Sequence, residues 1–168
     1  DDMTTAFAGG DTGGPSGASA YSMSAWIKSN ATASLKVVGG WYDGADTLII
    51  ANGTTALAAC NTAEAITVQA GIANDYGCFL ISNKVWRHAV LVYDGSLSGN
   101  AARLKLYVDG VQRTLTFHGS AAIPASLGTI SANFALGDLS TNSALQWNGM
   151  IDDFRTYNRA LSATEAKE

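Results

Sequence analysis

The sequence predicts an all-β protein in which two antiparallel sheets pack face to face as a β-sandwich or jelly roll. Apolar and polar residues alternate with a period of two along almost every regular segment, as in strands that bury one face. Gly, Asn and Asp separate those segments at turn positions, and 18 of the 168 residues are glycine. No segment has the pattern of a helix longer than a turn or two. We therefore expect about ten or eleven short strands in one domain, residues 1–168.

The first half of the chain contains one clear strand and one predicted hairpin. The two faces of "YSMSAWIK" alternate, with Tyr21, Met23, Ala25 and Ile27 on one side and Ser22, Ser24, Trp26 and Lys28 on the other. The run "TLIIANGTTALAAC" predicts two strands around Asn52-Gly53, because both positions of a two-residue hairpin turn need positive φ. Residues 61–77 are the least regular part, and we expect a long excursion there.

The second half contains three further strand patterns. "WRHAVLVYDG" is a continuous apolar run, typical of a strand buried on both faces, and it ends at Asp94-Gly95. "ARLKLYVDGVQRTLTF" predicts a hairpin that turns at Asp109-Gly110 and returns along residues 111–117. "TISANFALG" places Ile130, Ala132, Phe134 and Leu136 on one side of a strand.

The closing stretch "GMIDDFRTYNRALSATE" is dense in polar residues. Ile151 and Phe154 are an odd number of positions apart, so either both faces of this strand are covered or a bulge shifts its phase. Asp152 and Asp153 are adjacent, so a regular strand points them to opposite faces, and Arg155 is placed to pair with one of them. Ser162 and Glu165 form a capping box at the start of a helical turn. We interpret the stretch as the closure of the fold.

Composition excludes several classes of partner. The net charge is -4 without a basic run, so a nucleic-acid surface is not expected. No apolar run approaches the roughly 18 residues that cross a bilayer, so we expect no membrane insertion. The chain opens at Asp1 without a signal sequence, and we interpret it as a processed or excised piece of a secreted, extracellular or cell-surface protein. Cys60 and Cys78 lie in strand-like runs, and in an extracellular protein we expect them to form a disulfide between neighbouring strands; two buried thiols are the alternative.

Five runs together resemble a known family. They are "SAWIKS", "WRHAVLVYDG", "LKLYVDGV", "FALGD" and "WNGMIDDFRTYNRALSATE". Their order and spacing resemble those of laminin-G-like, concanavalin A-like domains of the bacterial type over roughly residues 20–165. The resemblance implies a jelly roll of two curved antiparallel sheets. The chain is also distantly similar to pentraxins.

Catalysis is not expected from the residues. Concanavalin A-like folds include glucanases and lyases, so the fold alone leaves an activity open. A retaining glycosidase needs two carboxylates about 5–5.5 Å apart, but this chain has three Glu, two of them near its end, and no alternating Glu-Asp run. His88 lies inside an apolar strand and is interpreted as structural. His118 has no evident partner, and no serine or cysteine nucleophile motif is present.

A calcium site is implied by the pentraxin-like comparison. It places Asp46 and Asp138 near a rim where such folds hold an ion, and Asn142 and Asp43 offer further oxygens, which Ca²⁺ prefers. Asp11 in the glycine-rich start is an alternative donor. A single structural Ca²⁺ is the prediction, and solvated turn aspartates are the alternative.

A glycan site is predicted at two loops that combine aromatic and polar residues. Sugar sites combine an exposed aromatic ring with Asp, Asn or Arg, and Trp41, Tyr42 and Asp43 lie between glycines in "GGWYDGAD". Asn74, Asp75 and Tyr76 form a second loop of the same chemistry. The alternative is that Trp41 covers the end of the sandwich.

The other tryptophans are interpreted as core residues. They are Trp26, Trp86 and Trp147. The sequence therefore favours a non-catalytic carbohydrate-binding module that takes a glycan or polysaccharide and is joined to other domains of a longer chain. The alternative is a structural or adhesive module of a surface protein, filament or virion that contacts other proteins.

Overall fold

The computed structural model describes residues 15, 17, 20–31, 35–42, 47–54, 57–62, 64–82, 84–130, 134–138 and 145–167. Eleven strands in this part form two antiparallel sheets. Sheet 1 has the order β11-β1-β6-β7-β8, with β1 Ala20–Ser29, β6 Arg87–Asp94, β7 Leu104–Val108, β8 Val111–Arg113 and β11 Gly149–Tyr157. Sheet 2 has the order β10-β2-β3-β4-β5-β9, with β2 Lys36–Tyr42, β3 Thr47–Asn52, β4 Ala65–Gly71, β5 Tyr76–Leu80, β9 Thr116–Phe117 and β10 Ala135–Leu136. The two-sheet all-β prediction is confirmed.

Helical structure is short, as predicted. It includes the four-residue helix α1 (Asn100–Arg103) and the 3₁₀ turns Ala58–Cys60 and Glu165–Lys167. Within the described ranges, no helix has both the length and the apolar character needed to cross a membrane.

The core lies between the inner faces of the two sheets. Every second residue of a strand points inward, so β1 contributes Met23, Ala25 and Ile27, all at most 2% exposed. The facing positions of sheet 2 are Val38, Trp41, Leu48, Ile50, Ile66, Val68 and Ala70. Apolar burial of this kind stabilises by about 1.5–3 kcal/mol for each large side chain.

The hairpin predicted at Asn52-Gly53 is wrong. Gly53 does have a positive φ of 55°, but its N–H donates to the carbonyl of Ala65, and the chain leaves the sheet toward the 3₁₀ turn at Ala58–Cys60. The place beside β3 is taken by β4, from the stretch in which we expected a long excursion. Gly53 therefore has the positive φ of a turn residue, but the segments on its two sides do not pair as a hairpin.

The hairpin predicted at Asp109-Gly110 is confirmed at its turn and corrected beyond it. Asp109 and Gly110 have φ of 53° and 72°, as the two central residues of a type I′ turn require. The returning chain divides between the sheets, because β8 pairs with β7 of sheet 1 whereas β9 pairs with β5 of sheet 2.

One disulfide joins Cys60 to Cys78, with 6.4 Å between their Cα atoms. Cys78 lies in β5 as expected, but Cys60 lies in a 3₁₀ turn and not in a strand. The bond therefore holds the segment that follows β3 against sheet 2, where Leu57 and Ala65 pack beside it.

A bulge in β11 resolves the odd spacing of Ile151 and Phe154. Ile151 lies opposite Ile27, and Arg155 lies opposite Ser24. Asp153 and Phe154 together face the single residue Ala25, and Asp153 has a φ of 48°. The extra residue restores the phase, so Ile151 and Phe154 both pack against the core.

The C-terminal segment, residues 158–167, covers part of the outer face of sheet 1. Leu161 and Ala166 are buried there against an apolar set made of Val90, Val92 and Tyr107. The Ser22 hydroxyl anchors the segment, because it donates to the Arg159 carbonyl at 2.9 Å and accepts the Leu161 N–H at 3.1 Å. The strand β6 is therefore buried on both faces along most of its length, as predicted.

The predicted capping box is present at the end of this segment. The Ser162 N–H donates to Glu165 Oε2 at 2.8 Å, and the Glu165 N–H donates to Ser162 Oγ at 3.3 Å. Arg159 Nη2 pairs with Glu165 Oε1 at 2.7 Å. The Arg159 guanidinium and the two Ser162 donors lower the pKa of Glu165 to about 2.

We expect Ser162→Ala to lower the melting temperature by about 2–4 °C, because the substitution removes one arm of the capping box. Thr164→Ala is the matched control, since the Thr164 side chain is exposed in the same turn. Thermal unfolding followed by circular dichroism measures both variants. Equal melting temperatures for wild type and Ser162→Ala would show that the box does not hold the C-terminal segment.

Candidate functional site

Trp41 lies in the core and not in an exposed loop, so that part of the predicted site is wrong. Its ring is 6% exposed and makes edge contacts with Tyr21 at 5.4 Å and Phe134 at 5.0 Å between centroids. The strand register pairs Trp41 with Leu48 on the inner face of sheet 2. The structure agrees with the alternative interpretation, in which Trp41 covers the end of the sandwich, because Trp41 is the last buried residue of β2 and packs against the core.

The glycines before Trp41 serve strand pairing. Gly40 has a φ of 140°, and a Cβ there would overlap the carbonyl oxygen of Leu48 in the neighbouring strand. Only a residue without a side chain permits this approach of β2 to β3. Trp41 and the two glycines before it therefore belong to β2 and not to a loop.

The other predicted glycan residues are partly brought together. Tyr42 is 38% exposed, and the register across Thr47 and Gly71 places it at the same end of sheet 2 as the turn that contains exposed Asn74. Asp43 lies outside the described residues.

Asp75 and Tyr76, also predicted to contact a glycan, are buried. The Asp75 carboxylate accepts the N–H groups of Ala122 at 2.7 Å and Ile72 at 3.1 Å, which makes it a support for the turn. The Tyr76 ring lies 5.3 Å from that of His118. Among the described residues of the predicted glycan site, Tyr42 and Asn74 are therefore the exposed ones, and both lie at this end of sheet 2.

Of the predicted calcium ligands, Asp138 is described, whereas Asp46 and Asn142 lie outside the described residues, as does Asp11. Asp138 follows β10, and its Oδ2 is 3.4 Å from Nε2 of Gln146. Its Oδ1 is buried and has no hydrogen-bond partner within the described part of the chain. The described residues contain no group of three or more His, Cys, Asp or Glu side chains arranged for a metal.

Trp26 projects from the outer face of sheet 1, so its assignment to the core is wrong. The alternation of β1 turns Met23, Ala25 and Ile27 inward and therefore Trp26 outward, where it is 42% exposed. The C-terminal segment does not cover it. Trp86 is also exposed, at 41%, whereas Trp147 packs against the core as predicted.

Polar groups on the two neighbouring strands, β6 and β11, lie beside Trp26. His88, its cross-strand neighbour on β6, lies 5.3 Å away between ring centroids at an interplanar angle of 32°. Asp152 lies opposite Trp26 on β11. We call Trp26, His88, Asp152, Asp153 and Arg155 the Trp26 surface.

The bulge in β11 brings both aspartates to this surface. Nε and Nη2 of Arg155 each donate a hydrogen bond of 2.8 Å to the Asp153 carboxylate. The backbone N–H of Asp153 donates to Asp152 Oδ1 at 2.8 Å. The expectation that adjacent aspartates point to opposite faces is wrong here, because that rule holds for a strand without a bulge. Arg155 pairs with Asp153, one of the two partners we expected.

A crevice of about 20 Å³ opens between the Trp26 surface and the C-terminal segment. This volume holds about one water molecule or one hydroxyl group. The crevice is lined by Ser24, His88, Val90, Asp153, Arg155, Tyr157, Leu161 and Glu165. Donors and acceptors therefore converge next to His88, whose ring lies against that of Trp26.

Partial burial favours the neutral form of the His88 imidazole. Burial is the main cause that lowers the pKa of His88 below its ordinary value of 6.5, and Arg155 lowers it slightly further. The nearby Asp109 and Asp153 carboxylates act in the opposite direction and raise it, but by less than burial lowers it. A neutral imidazole offers one donor and one acceptor nitrogen. The His88 backbone is held in place separately, because its N–H donates to Asp109 Oδ1 at 3.0 Å.

The family of the chain is decided by comparison with known proteins. A family model described as the concanavalin A-like lectin/glucanases superfamily matches residues 8–167. The chain belongs to this superfamily. Among curated proteins, none matches the chain.

Solved structures share the fold of this superfamily member at low sequence identity. A protein of Bacteroides ovatus ATCC 8483, whose carbohydrate-binding role is inferred, has a TM-score of 0.64 and 18% identity over 89% of this chain and 40% of its own. The chain thus spans less than half the length of that protein. Domain 4 of AbnA, an extracellular arabinanase of Geobacillus stearothermophilus, was solved with arabinotriose and has a TM-score of 0.59 and 19% identity over 88% of this chain and 64% of its own.

A third similar structure is the carbohydrate-binding domain CBM40 of the Ruminococcus gnavus IT-sialidase, solved with α2,3 sialyllactose. It has a TM-score of 0.64 and 12% identity over 88% of this chain and 80% of its own. Identities this low establish the shared fold and not the location of a site.

We expect stability to fall as the pH drops below about 6.5, because the unfolded chain binds a proton at His88 more readily than the folded chain does. Stability from this residue is complete above the unfolded pKa and is lost on acidification. Melting temperatures between pH 7.5 and 5.5 should decline less in His88→Gln than in wild type. Parallel declines would contradict a proton-linked role of His88.

Proposed function

We propose that this protein is a non-catalytic carbohydrate-binding module of a secreted or cell-surface protein, and that it contacts a glycan through the Trp26 surface. One observation carries the proposal. An indole ring is exposed on a sheet face beside a neutral imidazole, two carboxylates and a guanidinium.

The chemistry of the Trp26 surface suits a sugar ring. The apolar face of a pyranose or furanose stacks on an indole, which buries apolar area from both partners. The hydroxyl groups at the ring edge need fixed donors and acceptors, which His88, Asp152 and Arg155 supply. Arg155 is held by its paired bonds to Asp153, so its guanidinium loses little freedom on binding.

Binding rather than hydrolysis is favoured by the state of the carboxylates. Both oxygens of Asp153 accept hydrogen bonds from Arg155, and Asp152 Oδ1 accepts the Asp153 N–H. Three of the four oxygens of these carboxylates are thus engaged inside the protein, whereas a glycosidase needs two carboxyl groups that act at the scissile bond.

The similar structures support the same class of ligand. Two of them were solved with bound sugars, and one belongs to an extracellular enzyme. At identities below 25% they support the class of function and not a particular sugar.

We expect Trp26→Ala to weaken glycan binding at least about tenfold, the loss typical of an aromatic residue at the centre of a binding surface. Tyr42→Ala is the matched control, because it removes a similarly exposed aromatic from the other sheet. A glycan array identifies the ligand, and titration calorimetry then measures both variants. A large loss in Tyr42→Ala with none in Trp26→Ala would move the site to the loops predicted from sequence.

Absence of any glycan ligand for the wild-type protein would contradict the proposed function and would favour the structural or adhesive alternative. Melting curves of each variant should accompany the titrations. They separate a lost contact from a lost fold, since Trp26 lies on the outer face and is not needed to fill the core.

We propose, separately, that one structural Ca²⁺ binds beside Asp138. Its buried Oδ1 without a hydrogen-bond partner in the described residues suits a cation, and Ca²⁺ takes six to eight oxygen ligands. Asp46 and Asn142 are the predicted partners.

We expect chelation with EDTA to lower the melting temperature, and added Ca²⁺ to restore it, because an ion that binds only the native state stabilises that state. Asp138→Asn should lose this response while it keeps the fold. A melting temperature indifferent to chelation in the wild-type protein would contradict a calcium site.

A further inference from the structure

The two sides of the Trp26 ring have different surroundings. His88, on β6, lies against one side, at 5.3 Å between the ring centroids. Because β1 lies between β6 and β11 in sheet 1, the other side of the ring is on the side of β11. The β11 residue directly opposite Trp26 is Asp152. The open side of the indole therefore has a carboxylate as its cross-strand neighbour.

Asp152 is close enough to Trp26 for both side chains to contact one small group. Directly opposite residues of an antiparallel pair have their side chains on the same face and Cβ atoms about 4.5–5.5 Å apart. Asp152 is exposed, and its Oδ1 accepts the Asp153 N–H at 2.8 Å, which limits the rotation of the carboxylate. Asp153 lines the crevice beside His88, whereas Asp152 lies outside that crevice. The Asp152 carboxylate is thus held beside the ring and is open to a ligand.

Asp152 has no ion-pair partner among the described residues. The ion pairs in that part of the chain are Arg87–Asp109, Arg155–Asp153 and Arg159–Glu165. Lys28 lies on the same face and is diagonal to Asp152, and such neighbours are about 7–8 Å apart. Its ammonium ends a flexible stem and can move away from a bound cation. The negative charge of Asp152 is therefore available to a ligand.

An aromatic face beside such a carboxylate favours a cation. The face of an indole carries partial negative charge and attracts an ammonium group more strongly than the face of Tyr or Phe does. A carboxylate within hydrogen-bond distance adds a charge-assisted hydrogen bond. Among the described residues, the cation that lies over an aromatic ring is Arg113 at Phe79, and none lies over Trp26. An anionic sugar would be repelled both by the ring face and by Asp152.

We propose that the Trp26 surface selects an amino sugar, a 2-amino-2-deoxy hexose with a free protonated amine, whose ammonium lies between the Asp152 carboxylate and the open side of the Trp26 ring. The inference rests on the proposed function and names the class of sugar that the same surface prefers. Arg155 and His88 remain for the hydroxyl groups of the ligand. An N-acetylated sugar carries no charge, so it lacks the attraction to the ring and to the carboxylate.

The test compares a trimer of glucosamine with its fully N-acetylated form, which has the same rings and chain length but replaces each charged amine with a neutral amide. Both are titrated in mildly acidic buffer, in which the amines are protonated and melting curves show that the protein is folded. Heteronuclear NMR of the intact chain follows the indole N–H of Trp26. We expect the amine trimer to bind at least about fivefold more tightly, and this preference to decrease at high salt.

Asp152→Asn should abolish the preference, because the amide keeps an oxygen that accepts the Asp153 N–H but carries no charge. Glu64→Gln is the matched control. It removes one exposed negative charge from the segment before β4 of sheet 2, and it should bind both trimers as the wild-type protein does.

Several outcomes would overturn the inference. They are equal affinities of the wild-type protein for the two trimers, an unchanged preference in Asp152→Asn, an equal loss of preference in Glu64→Gln, or binding of trilysine at Trp26 as tight as that of the amine trimer. The last result would show attraction to charge alone and would favour a protein partner.

The same titrations separate the two proposals. Binding of the acetylated trimer or of another neutral glycan at Trp26, without a preference for the amine, would leave the proposed function standing and contradict the choice of an amino sugar. Absence of any glycan at Trp26 would contradict both.

Discussion

The pairing of β1 with β11, including the bulge at Asp153, is the constraint on which the rest of this structure depends. The pairing places β11 at the edge of sheet 1. Because the bulge adds one residue between Ile151 and Phe154, both side chains point into the core. The pairing also directs Arg155 and Tyr157 outward, so that the chain leaves β11 on the face that the C-terminal segment then covers. Without the extra residue, every side chain on one side of the bulge would exchange its face.

The Trp26 surface is a consequence of the same pairing. Trp26 is one of several exposed aromatic residues, and it differs from the others in its polar neighbours. The bulge places Asp153 where both of its carboxylate oxygens accept hydrogen bonds from Arg155. The C-terminal segment stops short of Trp26 and leaves a small polar crevice beside it. The outer face of sheet 1 is thus divided between a covered apolar half and an uncovered half with mixed chemistry.

The features that were predicted correctly are those with a local signal in the sequence. The two-sheet class, the turn at Asp109-Gly110, the capping box of Ser162 and Glu165 and the pairing of Cys60 with Cys78 all follow from short patterns or from a count of two cysteines. The predictions were wrong where one local pattern is compatible with two structures. Asn52-Gly53 has the chemistry of a hairpin turn and instead starts a crossing segment, and the glycines before Trp41 allow close approach of strands and not a loop.

The two tryptophans show what the sequence by itself determined and what only the tertiary structure decided. Alternation in "YSMSAWIK" already placed Trp26 on the polar face with Ser22, Ser24 and Lys28, so its direction was determined by sequence. Whether that face is covered depends on residues 158–167, more than a hundred positions away, which bury Val90 and Val92 but not Trp26. Direction follows from the backbone period of a single strand, whereas burial depends on which distant segment packs against it, and that is decided only when the sheets and their covering segments assemble.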